Sequence, residues 1–131
     1  MNRRVLAMVA LILAVGAATY VYAGDPRSGP EEGTIVGEVI DIGGYAMKGL
    51  RGREGAEAGR YRAGLGFPIG ILEDETERVY IALYRLPVPA AGLQTANTVL
   101  APFMGEKVVA HGAKYHAKGL DVIRISAVAG Q

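Results

Sequence analysis

From Thr34 onward, short apolar runs with alternating faces recur between turns, a pattern of period two. Residues 34–42 (TIVGEVIDI) are rich in β-branched side chains and free of proline, which predicts a strand. Gly37 inside that run marks a bulge or a sharp coil, as the first strand of a small closed barrel needs. Residues 67–72 (FPIGIL) predict a second short strand. An acidic turn, residues 73–77, then leads into residues 79–84, where Val79, Ile81 and Leu83 face one way and Tyr80, Ala82 and Tyr84 the other. These two runs predict a hairpin. Residues 107–115 and 120–128 predict another, turning at Ala117-Lys118-Gly119, with Ile123, Ile125 and Ala127 opposite Val122, Arg124 and Ser126.

Helical spacing is clear at one place in this part of the chain. Leu93, Ala96 or Asn97, and Leu100 predict one short amphipathic helix within residues 90–100, ended before Pro102. Residues 43–66 have weak periodicity and frequent glycine and read as a long loop, with a short helical piece around residues 54–62. Strand, strand, strand, helix, strand, strand in roughly 100 residues is the order of an OB-type barrel. The expected fold is therefore mainly β, a small OB-like Greek-key barrel with one short helix, filling residues 34–131.

The N-terminus has another pattern. Between Val5 and Tyr22 the chain carries no charge and includes Leu11, Leu13 and Gly16, and Arg3 and Arg4 precede it. At 1.5 Å per residue such a run makes a helix of roughly 27 Å, close to the hydrocarbon thickness of a bilayer. The arginines hold the N-terminus in the cytoplasm, and Tyr20 and Tyr22 fall at the outer interface. The same run fits a secretory signal peptide cut after Ala23, but bulky Tyr20 and Tyr22 beside the cleavage position favour a retained anchor. Residues 1–23 are thus expected to be a single-pass signal-anchor helix in the cytoplasmic (inner) membrane. Residues 24–33 (GDPRSGPEEG) read as a linker, and the barrel domain lies in the periplasm or its extracytoplasmic equivalent.

Composition narrows the function. About 108 residues follow Ala23, enough for one domain. A net charge of +1 gives no strong field for nucleic acid, and the absence of cysteine excludes disulfides and thiolate chemistry. Glycine, 19 of 131 residues, is about twice its usual share, as twisted small barrels use it. The only histidines, His111 and His116, are five apart and fall on opposite faces of a regular strand, so joint metal ligation needs a bend near Gly112. The acidic turn at 73–77 lacks the spaced oxygens and glycine of a calcium loop, and Asp41 reads as a cap for the turn into Gly43-Gly44. No Gly-x-Ser-x-Gly and no phosphate loop is present. No catalytic set, metal or cofactor is expected.

The loop 43–66 carries most of the candidate surface. Lys48, Arg51, Arg53, Arg60 and Arg62 stand against Glu54 and Glu57, a local charge of +3, with Tyr45, Tyr61 and Phe67 among them. OB-type barrels use basic and aromatic surfaces for oligonucleotides. Export argues against a nucleic acid, and arginine with tyrosine is a pairing enriched at protein interfaces.

GEVIDIGGY (37–45), GFPIGIL (66–72), VYIALY (79–84) and GLDVIRISAV (119–128) resemble a group of small exported bacterial OB-like proteins. The likeness spans about residues 33–128. In that group an Asp-x-x-Cys-Tyr follows the first strand, and a Gly-x-x-His-x-x-Cys-Ala-x-x-Cys loop precedes a Gly-x-Pro-x-Gly strand, which implies a metal or haem-type ligand set. Here the first cysteine position is Gly44, with Tyr45 kept; the histidine position is Gly55, and the other cysteine positions are Ala58 and Arg62. The resemblance implies a scaffold kept and a ligand set lost.

Together these readings lead to a non-catalytic, membrane-anchored accessory subunit. Its partners are other subunits of a membrane complex and the bilayer itself, and the interface is built on Tyr45, Lys48, Arg51, Arg53, Arg60, Tyr61, Arg62 and Phe67. Single-span accessory subunits of bacterial photosynthetic reaction-centre or respiratory electron-transfer complexes are the analogy. The alternative is an exported binding module whose basic loop 43–66 holds an anionic ligand, glycan or lipid headgroup.

Overall fold

In a computed structural model, which describes residues 29–84, 95–117 and 119–131, the alternating runs form five strands. These are β1 (Glu31–Asp41), β2 (Ile69–Glu73), β3 (Val79–Tyr84), β4 (Lys107–Ala117) and β5 (Leu120–Gly130). They close into a barrel in the order β1-β2-β3-β5-β4. Every pairing is antiparallel except β3 with β5, which run parallel from Ile81↔Val122 to Tyr84↔Ile125. Strand alternation turns one set of side chains inward: Ile35, Val39, Ile71, Val108, Ile123 and Ile125 are fully buried and pack as one cluster. Each such side chain contributes roughly 1.5–3 kcal/mol of transfer free energy.

β1 bends around this core. It pairs with β4 over residues 31–38 and with β2 over residues 37–41, so Gly37 and Glu38 are held by both neighbours. A Cβ on Gly37 would overlap the carbonyl of Leu72. Glycine is needed there for close approach of β2, and no register shift occurs at that residue. The shift lies instead between His111 and Gly112, where Ser126 of β5 is left without a partner. That extra residue reverses the parity of the strand. Val128 packs against the core, and Ala127, expected beside Ile123 and Ile125, is exposed.

Other boundaries also differ from expectation. β1 takes residues 31–33 from the predicted linker 24–33, and β2 begins after Phe67 and Pro68. The single short helix becomes three among the described residues. Two of them, α1 (Ile42–Lys48) and α2 (Gly52–Gly64), fill most of the loop 43–66. α1 exists because both its ends are capped. Asp41 accepts a hydrogen bond from the Gly44 N–H, and Gly49, left-handed at φ 66°, returns its own N–H to the carbonyls of Gly44 and Tyr45.

The predicted helix 90–100 is seen as α3 (Ala96–Leu100), opened by a Thr95–Thr98 capping box, while Ala90 and Leu93 lie outside the described residues. It continues as a 3-10 turn, Ala101–Phe103, through Pro102, which sits near the start of that turn where no N–H is required. Leu100 fills the core, and Met104 just beyond is buried and bridges to Val39. The acidic turn 73–77 is the β2–β3 hairpin tip, with Asp74 paired to Lys107 of β4 at 2.7 Å.

Among the described residues no helix is long and apolar enough to cross a membrane. The proposed anchor, with Arg3, Arg4, Val5, Leu11, Leu13, Gly16, Tyr20 and Tyr22, lies outside the described residues.

Candidate functional site

α2 lies against β1 and the 3-10 turn, presenting Ala56, Gly59 and Ala63 inward. Two acids of β1 fasten it. Glu38, 6% exposed, accepts from Arg51 Nε at 3.2 Å and Nη2 at 3.0 Å, and its other oxygen accepts from the Gly52 N–H at the start of α2. Arg51 itself offers no side-chain cap to the helix, so Glu38 does that work from the neighbouring strand. The hydrogen bonds that Arg51 donates to Glu38, and then the Glu38 charge, hold its guanidinium above its ordinary pKa.

At the other end of α2, Arg62 Nε reaches Asp41 Oδ2 at 2.8 Å, the same oxygen that caps α1. The Arg62 guanidinium also covers the Phe67 ring, 4.2 Å from its centroid. Asn97 of α3 closes the assembly by donating to the carbonyls of Ala63 and Phe67 at 2.9 and 2.8 Å.

This geometry divides the candidate interface residues into two kinds. Arg51 and Arg62 are paired within the fold. With Glu38 and Asp41 counted, the local charge of the helical segment falls from +3 to +1. Among the described residues no carboxylate pairs with Lys48, Arg53 or Arg60. Tyr45 is half-buried in α1. Tyr61 is 71% exposed, and it stands with two apolar residues absent from the expected interface, Met47 at 71% and Leu65 at 60%. Phe67 is 42% exposed. Tyr61, in the last turn of α2, and Leu65, the C-cap residue, are four apart, and Phe67 lies under the Arg62 guanidinium.

A cleft of about 130 Å³ opens between α1 and α2 and reaches down to β1 and Met104. Gly44, Gly55, Ala58 and Arg62, the four positions at which the resemblance places metal or haem ligands, all line it. None of the four offers a thiolate or an imidazole, and no group of His, Cys, Asp and Glu among the described residues could hold a metal ion. The lining does not fit that ligand set. His111 faces Thr34 and Glu32, and His116 pairs with Asp121, so the two histidines of β4 serve separate neighbours.

No family model, curated protein or solved structure matches this chain.

Proposed function

We propose that the protein is a non-catalytic accessory subunit that docks on the extracytoplasmic part of a membrane protein complex, with its barrel of the OB type and residues 1–23 as its anchor. The observation that carries this reading is the α1–α2 segment. Met47 of α1, Tyr61 of α2, Leu65 at the C-cap of α2 and Phe67 just beyond it are all exposed, with Arg53 and Arg60 on α2. Exposed apolar side chains on a short stretch of surface mark interaction sites, and tyrosine, methionine and arginine are enriched at interfaces.

The anchor narrows the partner. β1 begins at Glu31, so seven residues, 24–30, separate it from the proposed anchor, residues 1–23, a reach of at most roughly 24 Å. A partner must then lie at the membrane. Anionic lipid is the weaker candidate, because internal pairing of Arg51 and Arg62 leaves the helical segment a net charge of only +1. The uncharged exposed rings and the leucine suit a protein face better.

Purification of the tagged full chain in mild detergent tests this. Stoichiometric partners are expected, and they should be lost with Tyr61→Ser combined with Leu65→Ser. Recovery of the chain alone from its native membrane contradicts the proposal.

A further inference from the structure

The α1–α2 cleft has an apolar floor and a charged rim, and Met47 at its wall also belongs to the proposed docking surface. Its floor is apolar and almost inaccessible: Val39, Ile40 and Met104 are 0%, 2% and 2% exposed. Met47, Leu50 and Ala58 form the walls, and Ala58 is exposed, which leaves the cleft open on the α2 side. An engineered apolar cavity of about 150 Å³ takes benzene, so about 130 Å³ suits one small ring rather than a sugar or a nucleotide. Methionine sulfur packs favourably at the edge of aromatic rings, and here one methionine lies on the floor and another at the wall.

The rim sets the sign of the ligand. Asp41 already accepts from the Gly44 N–H and from Arg62, while Glu38 holds both the Arg51 donors and the Gly52 N–H. Arg62 lines the cleft, with Nε on Asp41 and its guanidinium over the Phe67 ring. Lys48 lines the cleft with no carboxylate paired to it among the described residues. One positive charge is thus left over at the mouth of an apolar pocket.

We infer that this cleft binds a small aromatic carboxylate, with the ring between Met47, Leu50 and Met104 and the carboxylate at Lys48 and Arg62. The probe is 4-fluorobenzoate, titrated into the full chain in mild detergent and followed by fluorine NMR. Saturable one-to-one binding is expected, with a Kd on the order of 1 mM for so few non-hydrogen atoms. Ala58→Leu, a helix-compatible change at an exposed position, should fill the opening and weaken binding at least tenfold with the thermal midpoint unchanged. Lys48→Gln should weaken it severalfold, and neutral 4-fluorobenzyl alcohol should bind several times more weakly than the carboxylate. Equal affinity for the alcohol overturns the anionic part of the proposal. Non-saturable uptake, as from partition into the micelle, or binding that survives Ala58→Leu overturns the site.

Discussion

Replacing Glu38 tests whether one carboxylate on β1 holds α2 in place. Glu38 provides the acceptor for the first N–H of α2 and two hydrogen bonds from Arg51, all from a nearly inaccessible position. Loss of a helix cap costs about 1 kcal/mol, and hydrogen bonds to a charged group contribute about 1.5–3 kcal/mol. Arg51, with a side chain 49% exposed, is rehydrated when its partner goes, which puts the total for Glu38→Ala at about 2–3 kcal/mol. In a domain of about 100 residues that lowers the thermal midpoint by about 10–20 °C. Glu38→Gln keeps an oxygen for the Gly52 N–H and should cost about 1 kcal/mol. Arg51→Ala leaves a buried carboxylate with one donor and should cost about 2 kcal/mol. Because the two side chains act as a unit, Glu38→Ala with Arg51→Ala should cost little more than Glu38→Ala alone, a coupling of about 1–2 kcal/mol. Urea denaturation of the four variants gives these values. A loss below about 0.5 kcal/mol for Glu38→Ala, or additive single changes, would refute the argument.

The remaining predictions concern the barrel. Gly37→Ala drives a Cβ into the Leu72 carbonyl, so it should cost about 3 kcal/mol or more and lower the folded yield; a denaturation midpoint near that of the unaltered chain would show that β1 can move away from β2. Lys107→Ala removes only the exposed pair with Asp74 and should change stability by about 0.5 kcal/mol or less in the same assay. Burial, and then the charge of Glu73, raise the Tyr80 phenol above its ordinary value of 10.0. The folded state therefore keeps that proton when the unfolded chain releases it, so this contribution is intact below about pH 10 and lost as pH rises through the folded value. Denaturant midpoints measured on either side of pH 10 should fall with pH, and Tyr80→Phe should flatten the fall; an unchanged slope removes Tyr80 from the explanation.

The strands were legible because they carry β-branched and aromatic apolar residues between turns, with alternate burial clear in β3 at Tyr80 and Ala82 and in β5 at Ile123 and Ile125, while β2 is buried at four successive positions. α2 was only partly legible for the opposite reason. Its inward positions are Ala56, Gly59 and Ala63, residues too small to give a hydrophobic stripe, so the helix reads as a glycine-rich loop. α1 contains two glycines and exists through its caps, of which the Asp41 side chain alone was anticipated. The pairing of Glu38 with Arg51 spans thirteen residues and leaves no local signal; a charged residue amid the β-branched run of β1 was the available hint. The same blindness overstated the basic surface, since sequence counts the cations of residues 43–66 without the two acids that fold back on them. Leu65 and Met47 were missed because single apolar residues in a glycine-rich segment do not announce exposure. The parity change at Ser126 depends on pairing between β4 and β5, and Gly112 was its only trace.

Site-specific photo-cross-linking in native membranes examines the docking claim most directly. A photoreactive residue in place of Leu65 at the C-cap of α2 should capture one protein partner at high yield, while the same residue in place of Leu120, exposed at the start of β5, should capture none. Adducts to lipid alone from position 65, or no adduct there, would contradict the account.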